Sequence, residues 1–406
     1  MKAAAITGMG IISSLGDTIG EVALSLEKGR SGIVLDRSRE EKGFKSGLTS
    51  SLEDFSPDRW GFTKKSLRTM GEPALFASAA AMDAVKDSGL PHDVVASDRC
   101  GVVFGNDSTV RDGVEAIDTA RRDGETRCIG SGAIFKSMNS TVTMNLAACL
   151  GTRGANWTIS AACASSAHAI GQALMLIRSG FQDAVITGGA QELNWMGMAS
   201  FDALNVFSSR KTSPQEASRP FDRDRDGLVP GGGAACLVIE ALDQAEKRGA
   251  EIHAIIEGYG FSSGIGRNLS QPDAEGSARA MTNALKDAGT TADAIDYINA
   301  HATSTPAGDL AEAAAINRVF GSTTAVSSTK SMTGHECWMS GASEVIYSVL
   351  MANNSFIAPN INFRQLDDNC PAINVISKTT PAVIRRSLSN SFGFGGTNSA
   401  LVLKFI

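Results

Sequence analysis

The chain has 406 residues and a formal net charge of −6, from 37 Lys and Arg against 43 Asp and Glu. Hydrophobic residues make up 43% of the composition and charged residues 20%, which excludes global disorder. A mildly acidic chain is also a poor general binder of nucleic acid or of an anionic membrane.

The cysteine and histidine patterns argue against metal and disulfide chemistry. The seven cysteines are dispersed and include no Cys-x-x-Cys pair, and the five histidines have no spacing typical of metal ligands. The sequence has neither a secretory signal nor an apolar run long enough for a membrane helix. We therefore expect a cytoplasmic protein without a metal.

Short apolar strands alternate with amphipathic helices along the chain, a pattern typical of an α/β protein. In chain order the predicted elements are the strand Lys2–Thr7, the helices Thr18–Lys28 and Ala74–Lys86, the strands Gly101–Phe104 and Asn156–Ser160, the helix Ala164–Ser179, the strands Asp183–Thr187 and Ala235–Ile239, the helix Leu242–Lys247, and the strands Ile252–Glu257 and Tyr297–Asn299. The second half repeats the layout of the first. We therefore expect two similar halves, residues 1–250 with the reactive cysteine and 251–406 with two histidines, packed as one unit.

Cys163 is the first candidate for chemistry, because it lies between a predicted strand and a predicted helix in a run of small residues. A helix N-terminus carries partial positive charge and free N–H groups, so we expect the pKa of this thiol to be lowered. The same placement is the geometry of a nucleophile elbow. A buried structural cysteine is the alternative, since a nucleophile needs a partner base.

Candidate partners lie at matching junctions in the second half. His301 and His335 each follow a predicted strand and precede a helix, where α/β sheets bind ligands. Lys330 precedes His335 in a loop of Ser, Thr and Gly, where it either orders a buried site or is solvated. Asp309 and Glu312 share one helix face, one turn apart, and either pair with the lysine or lie on the surface.

A glycine-rich turn lies near the C-terminus, with the sequence Ser391-Phe392-Gly393-Phe394-Gly395-Gly396-Thr397-Asn398. It lacks the Lys-Ser/Thr pair of a phosphate-binding P-loop and the strand and helix of a dinucleotide site. Closely spaced backbone N–H groups of this kind suit an oxyanion hole better.

These motifs jointly resemble a β-ketoacyl-ACP synthase of the elongating, decarboxylating type. The resemblance covers essentially the whole chain, and its motifs are Ile6-Thr7-Gly8-Met9-Gly10, Cys163 with its helix, His301 with Thr303-Ser304-Thr305-Pro306, Lys330, Gly334-His335 and the glycine-rich turn. Ser165–Gly171 and Gln191-Glu192-Leu193 are most similar to the synthase I subgroup. The resemblance implies a thiolase-like fold, in which two similar α/β halves with mixed sheets pack in layers with helices.

The resemblance also implies a role for each candidate residue. Cys163 would carry the acyl group, and His301 and His335 would stabilise the enolate formed when malonyl-ACP loses carbon dioxide. Further implied roles are an oxyanion hole from the backbone N–H groups of Cys163 and Phe392, electrostatic ordering by Lys330 with Asp309 and Glu312, pantetheine binding by Thr303 and Thr305, gating by Phe392, and an acyl pocket lined by Met198 and Phe201. No cofactor of its own is implied, since the phosphopantetheine arm arrives on the carrier protein.

The implied partners are an acidic acyl carrier protein and a second copy of the chain, with no nucleic acid and no membrane. We expect the carrier to dock on basic clusters at Lys64, Lys65 and Arg68 and at Arg121, Arg122 and Arg127, although solvated helix faces are the commoner fate of such residues.

The sequence departs from the family pattern at two places. Ala302 stands where the family has glycine, and Glu336-Cys337-Trp338-Met339-Ser340 stands where it has small residues. The second departure adds bulk at Trp338 and Met339. This bulk either reshapes the acyl pocket, or it faces outward or fills a void left by smaller residues elsewhere. It keeps open a specialised polyketide or aryl-polyene ketosynthase.

Particular residues argue against each of the other alternative functions. A chain-length-factor-like partner subunit without catalysis would lack the nucleophile, whereas Cys163 is present. A thiolase would need a second cysteine in the glycine-rich turn, which has none. A plain cysteine hydrolase leaves the second histidine and Lys330 unexplained.

Overall fold

The computed structural model describes residues 3–52, 55–264 and 268–406, and its centre is one long mixed sheet. The strands, numbered in chain order, are Ala4–Ile12 (β1), Ile33–Leu35 (β2), Leu48–Ser50 (β3), Cys100–Gly105 (β4), Asn156–Ile159 (β5), Ala184–Gln191 (β6), Gly233–Ala241 (β7), Ala254–Ser263 (β8), Tyr297–Asn299 (β9), Ala325–Ser327 (β10), Phe356–Ile357 (β11), Asn374–Val375 (β12), Thr380–Pro381 (β13), Arg386–Phe392 (β14) and Thr397–Lys404 (β15). The helices are Ile19–Lys28 (α1), Arg37–Glu41 (α2), Lys64–Leu67 (α3), Glu72–Ser88 (α4), His92–Val95 (α5), Arg111–Asp123 (α6), Ala133–Ser137 (α7), Thr141–Leu150 (α8), Ser165–Arg178 (α9), Trp195–Ala203 (α10), Leu242–Lys247 (α11), Ala274–Ala288 (α12), Pro306–Phe320 (α13), Lys330–Thr333 (α14) and Ser340–Asn353 (α15).

The long sheet joins two half-sheets of the same design. They meet where the first residues of β1 pair antiparallel with the first residues of β8. Outward from that seam the strand orders are β1-β7-β6-β4-β5 and β8-β15-β14-β9-β10, with β12 at the far edge. In each half the two inner pairings are antiparallel and the two outer pairings are parallel. The prediction of two similar α/β halves is confirmed, and the expected division at residue 250 falls between α11 and β8.

Local signals set the ends of several helices as predicted. The Thr18 side chain accepts a hydrogen bond from the backbone N–H of Glu21 at the start of α1, and Gly29 ends that helix with a left-handed φ of 61°. Gly89 ends α4 in the same way, with φ 58°. A glycine has no Cβ to clash in this conformation, so it marks a helix end reliably.

The strand β1 continues through two glycines beyond its predicted end at Thr7. The predicted strand Lys2–Thr7 begins at Ala4, since Lys2 lies outside the described residues, and runs on to Ile12. A Cβ on Gly8 or Gly10 would overlap the carbonyl oxygens of Ala84 and Ala80 in α4. These glycines therefore let a helix lie directly on the sheet, and they do not end the strand.

The hydrophobic core extends along two buried helices, α9 and α15. Nearly every residue of α15 is buried, and α9 packs against it between the layers of the fold. Their apolar side chains join β1 and β7 in the largest hydrophobic cluster. The N-terminal ends of α9 and α15 therefore meet inside the protein. Among the described residues, no helix has the length and apolar character needed to cross a membrane.

Candidate active site

Cys163 lies in a one-turn 3₁₀ helix, Ala162–Ala164, that leads directly into α9. The preceding Ala162 has a positive φ of 46°, which turns the chain sharply after β5. Gly105 permits this turn, because a Cβ there would overlap the backbone N of Ser166. The cysteine is 4% exposed. The predicted junction between strand and helix is confirmed, and it presents the thiol inside the protein.

The structure brings both predicted histidines to this thiol. His335 Nε2 lies 3.0 Å from Cys163 Sγ, and the His301 and His335 rings meet at right angles with 5.2 Å between their centroids. His335 is held by its backbone N–H, which donates to Val229 O at 2.7 Å, and its Nδ1 lies 3.3 Å from Ser340 Oγ. Residues 172 positions apart in the sequence thus form one cluster.

Both imidazoles are neutral at physiological pH. Burial, reinforced by the positive charge of Lys330, holds the pKa of His301 and of His335 well below the ordinary value of 6.5. A neutral imidazole offers one N–H donor and one acceptor nitrogen. The pair is therefore equipped to donate to a developing negative charge.

The expected lowering of the cysteine pKa is wrong. Burial raises the pKa of the Cys163 thiol to about 12, against the opposing effects of Lys330 and of nearby backbone N–H groups. The sequence indicated the helix N-terminus but not the depth at which the sulfur lies. The resting thiol is therefore protonated, and it needs a proton acceptor when it reacts.

The second backbone donor at the sulfur also differs from the expected one. The backbone N–H groups that favour the thiolate belong to Cys163 itself and to Phe394, whereas Phe392 was expected. Phe392 ends β14, and the chain then reverses through Gly395 and Gly396, both with positive φ. This reversal places the second phenylalanine of the glycine-rich turn over the thiol.

Lys330 is buried, and its ion-pair partner is Glu344 of α15, which the sequence analysis did not identify. Glu312, the expected partner, instead accepts the backbone N–H groups of His301 and Ala302 at 2.9 and 2.6 Å. Asn390 also donates to Glu312, at 3.0 Å. The glutamate therefore fixes the loop that carries His301, and the surface alternative for it is excluded by its burial.

Asp309 is fully buried and also does not pair with Lys330. Its carboxylate accepts the backbone N–H groups of Phe221 and Ser304 at 2.8 and 3.1 Å, and Arg225 Nε lies 3.6 Å away. Burial raises its pKa to about 7. These bonds hold Ser304 in its left-handed φ of 71° and so shape the threonine loop beside it.

A cavity of about 360 Å³ leads to the cysteine and the two histidines. Thr303 and Thr305 lie on its wall with their hydroxyl oxygens 3.0 Å apart. Phe392 and Phe201 line it as well, and the Phe392 ring lies 5.9 Å from that of His301. Met198 lies outside this cavity, in the buried cluster around Cys163.

The bulky departure after His335 points into the protein. Glu336, Cys337, Trp338 and Met339 are all buried, which excludes the alternative that the bulk faces outward and leaves a changed pocket or a filled void. Glu336 accepts from Ser343 Oγ and Tyr347 Oη, and burial raises its pKa to about 7.

The reactive cluster also has a donor set that suits a thiophilic metal ion. One ligand atom each of Cys163, His301 and His335 lies within 4.8 Å of the others. Two neutral imidazoles and a thiol are typical zinc ligands. A metal bound there would occupy the same sulfur that a covalent intermediate needs.

The two basic clusters differ in how their charge is balanced. Lys64, Lys65 and Arg68 are exposed on and beside α3, and none of them pairs with a described carboxylate. Arg121, Arg122 and Arg127 pair with neighbouring carboxylates, those of Asp118, Asp123 and Glu125. The first cluster therefore keeps its positive charge, and much of the charge of the second is offset.

The chain is similar to known proteins over its whole length. The N-terminal domain family of β-ketoacyl synthases matches residues 1–245, and the C-terminal domain family matches residues 253–364. The chain belongs to the β-ketoacyl synthase family. It is 42% identical to 3-oxoacyl-[acyl-carrier-protein] synthase 1 of Haemophilus influenzae, over 100% of this chain and 99% of that protein. The predicted resemblance is confirmed.

Solved structures agree with this assignment. A β-ketoacyl synthase from Burkholderia phymatum matches with a TM-score of 0.95 and 34% identity, over the whole of both chains. A type II PKS ketosynthase solved in complex with its acyl-carrier protein and a hexaketide matches with a TM-score of 0.90 and 27% identity, again over both whole chains. The thiolase-like fold is confirmed, and this ketosynthase is an acyltransferase-type enzyme.

Proposed function

We propose that this protein is a 3-oxoacyl-ACP synthase that lengthens an acyl chain by two carbons in a decarboxylative condensation with malonyl-ACP. The observation that carries this is the contact of 3.0 Å between His335 Nε2 and Cys163 Sγ, with His301 beside them at the end of a threonine-lined cavity. A thiol and two neutral imidazoles supply the nucleophile and the donors that the two half-reactions need.

In the first half-reaction, Cys163 attacks the carbonyl carbon of an acyl-pantetheine thioester. The new C–S bond forms as the old one breaks, and the pantetheine thiolate leaves. The thiol proton must pass to that leaving group, and His335 Nε2 is placed to relay it. The acyl group then remains on Cys163, and the imidazole is neutral again.

In the second half-reaction, malonyl-ACP loses carbon dioxide and the electron pair of the broken bond forms an enolate. His301 donates a hydrogen bond to its oxygen as the Nε2–H tautomer. His335 does the same once its ring proton has moved, through water, from Nδ1 to Nε2. The enolate carbon attacks the acyl-Cys163 carbonyl. The resulting oxyanion accepts from the backbone N–H groups of Cys163 and Phe394, and its collapse expels the Cys163 thiolate. The thiolate then takes up one proton from water, which restores the resting thiol. Lys330 and Glu312 act as positioning residues in this scheme.

The binding sites for the pantetheine arm and for the carrier protein are inferred from nearby side chains. Thr303 and Thr305 present hydroxyls to the pantetheine arm, and Phe392, Phe201 and Met198 surround the reacting end of the acyl group. The charges of Lys64, Lys65 and Arg68 are exposed and have no carboxylate partner within the described part of the chain, so they suit an acidic acyl carrier protein. The solved complex of a related ketosynthase with its carrier supports that partner.

We also infer that the protein works as a cytoplasmic homodimer. The strand β5 forms an edge of the sheet, and its Trp157 is 47% exposed. The helices α6 and α7 and the residue after α7 expose further large apolar side chains, namely Ile117, Ile134, Phe135 and Met138. An unpaired edge with such side chains suits a second copy of the chain. Free cysteines are typical of a reducing compartment, and sedimentation velocity measures the oligomeric state directly.

The experiment that tests the function is intact-mass analysis after incubation with acyl-ACP. We expect one acyl group on the wild-type protein and on Cys337→Ala, which removes the neighbouring buried thiol. Cys163→Ser should lose condensation, because an alkoxide is far less accessible at neutral pH than a thiolate. Peptide mapping that places the acyl group on any other cysteine would contradict the proposal.

A specialised ketosynthase is the second candidate, and the observation that favours it is Trp338. This large side chain is buried in the same cluster as Cys163. A changed acyl pocket is what an enzyme of a specialised pathway requires.

A further inference from the structure

Two groups must fit around Cys163 at the moment of condensation, the acyl group on its sulfur and the malonyl arm of the incoming carrier. The cavity of about 360 Å³ leads from the surface past Thr303 and Thr305 to the sulfur, and it is the route for the arm. The acyl group therefore needs separate space beside Sγ, on the side away from the entrance.

That space is filled by large side chains. Phe44, Met198, Cys337 and Trp338 form one buried cluster with Cys163. Trp338 is the largest of them and is only 5% exposed. The Phe201 ring separates it from the cavity, with centroid distances of 6.2 Å to Trp338 and 6.2 Å to Phe394. Phe201 therefore lies between the cavity and the indole.

The backbone that carries Trp338 has little freedom to retreat. Trp338 lies in the 3₁₀ turn Cys337–Met339, in which Cys337 has a positive φ of 46°. Met339 is fully buried in the main hydrophobic core. A Cβ on Gly189 would lie 2.5 Å from the Trp338 carbonyl oxygen, so the turn rests directly on β6. In a close-packed interior such a turn holds its side chain in place.

Volume, and not hydrogen bonding, is the effect of this side chain. The indole Nε1 has no hydrogen-bond partner among the described groups. Resting on the proposed condensing function, we propose that Trp338 sets an upper limit on the acyl group that Cys163 can carry, so that the enzyme prefers short acyl groups to long ones. The Phe201 side chain moves to admit a short acyl chain, whereas the Trp338 side chain behind it stays in place and blocks a longer one.

The test measures acylation and condensation over acetyl-, hexanoyl-, decanoyl- and tetradecanoyl-ACP. The wild-type protein should show a higher kcat/KM with the two short substrates. Trp338→Gly should raise the ratio of long-chain to short-chain kcat/KM by at least about tenfold, and Trp338→Phe by a smaller factor. The matched control is Met339→Ala, which removes bulk from the same turn but on the side of the main core, and it should leave the ratio unchanged.

Several outcomes overturn the inference. A wild-type enzyme that takes tetradecanoyl and hexanoyl groups equally well does so, as does a folded Trp338→Gly variant with the wild-type ratio. Circular dichroism establishes folding, and if the glycine variant unfolds, the ratio in Trp338→Phe decides. A wild-type protein that accepts no acyl group from any carrier refutes the proposed function itself, which distinguishes the two failures.

Discussion

The surroundings of Glu336 predict how the stability of the folded protein depends on pH. The Glu336 carboxyl group is buried, and it accepts hydrogen bonds from Ser343 Oγ at 2.5 Å and Tyr347 Oη at 3.0 Å. Burial raises its pKa from 4.5 to about 7, although Lys330 and these hydrogen bonds oppose the change. Between these two values the folded protein binds more protons than the unfolded chain, so stability decreases as the pH rises.

The size of the effect follows from those two pKa values. One pKa unit corresponds to about 1.4 kcal/mol, so ionised Glu336 costs the folded state about 3 kcal/mol. Glu336→Gln keeps the shape of the side chain and removes its titration. The free energy of unfolding of this variant minus that of the wild type should therefore be larger at pH 8 than at pH 5, by roughly 2–3 kcal/mol.

Urea unfolding of both proteins between pH 5 and pH 8 measures this difference. The buried carboxyl group of Asp309 has a raised pKa in both proteins, so its contribution cancels. Glu336 helps to raise the pKa of Glu344, so the comparison is repeated with Glu344→Gln in both proteins. The exposed Glu246, changed to Gln, is the matched control for removing a single glutamate from the protein. Parallel curves for the wild type and Glu336→Gln would refute the reasoning.

Two further predictions concern the reaction and the carrier. His301→Ala and His335→Ala should each lower the rate of malonyl-ACP decarboxylation by about 10²–10³-fold, since each removes a donor to the enolate. Acyl-Cys163 should still accumulate in His301→Ala. Release of labelled carbon dioxide at the wild-type rate in both variants would contradict this. Lys65→Glu with Arg68→Glu should raise KM for acyl-ACP and flatten its dependence on salt, because the screened attraction is lost, and an equal loss with short acyl-pantetheine substrates would argue against carrier docking.

The half-sheets and the reactive cluster could be predicted because each rests on a local signal. Thr18 and Gly29 mark the ends of α1, and Cys163, His301 and His335 each follow a strand of the sheet. Equivalent strand ends of two similar halves come together in the fold. The predicted end of β1 at Thr7, just before Gly8, is wrong. A glycine that lets a helix pack closely on a strand looks the same in sequence as a glycine that ends the strand.

The identity of the second backbone donor at the Cys163 sulfur depends on a backbone reversal that spacing does not reveal. Phe392 and Phe394 are separated by one glycine, and either N–H would satisfy the sequence pattern. The positive φ angles of Gly395 and Gly396 decide which one faces the thiol. Nor could the pKa of Cys163 be predicted, because the dipole of a helix is visible in sequence whereas the burial of the sulfur is a property of the whole fold.

The partners of Lys330 show most clearly what sequence spacing omits. Glu312, Glu336 and Glu344 are all buried, and Lys330 lowers the pKa of each carboxyl while burial raises it. One cation cannot balance three ionised carboxylates in an interior of low dielectric, so protons must be held on some of them near neutral pH. The pair with Glu344 leaves Glu312 to bind the backbone of His301, which aligns that imidazole with the thiol. Burial, reinforced by the charge of Lys330, keeps both histidines neutral, so each imidazole offers one N–H donor and one acceptor nitrogen.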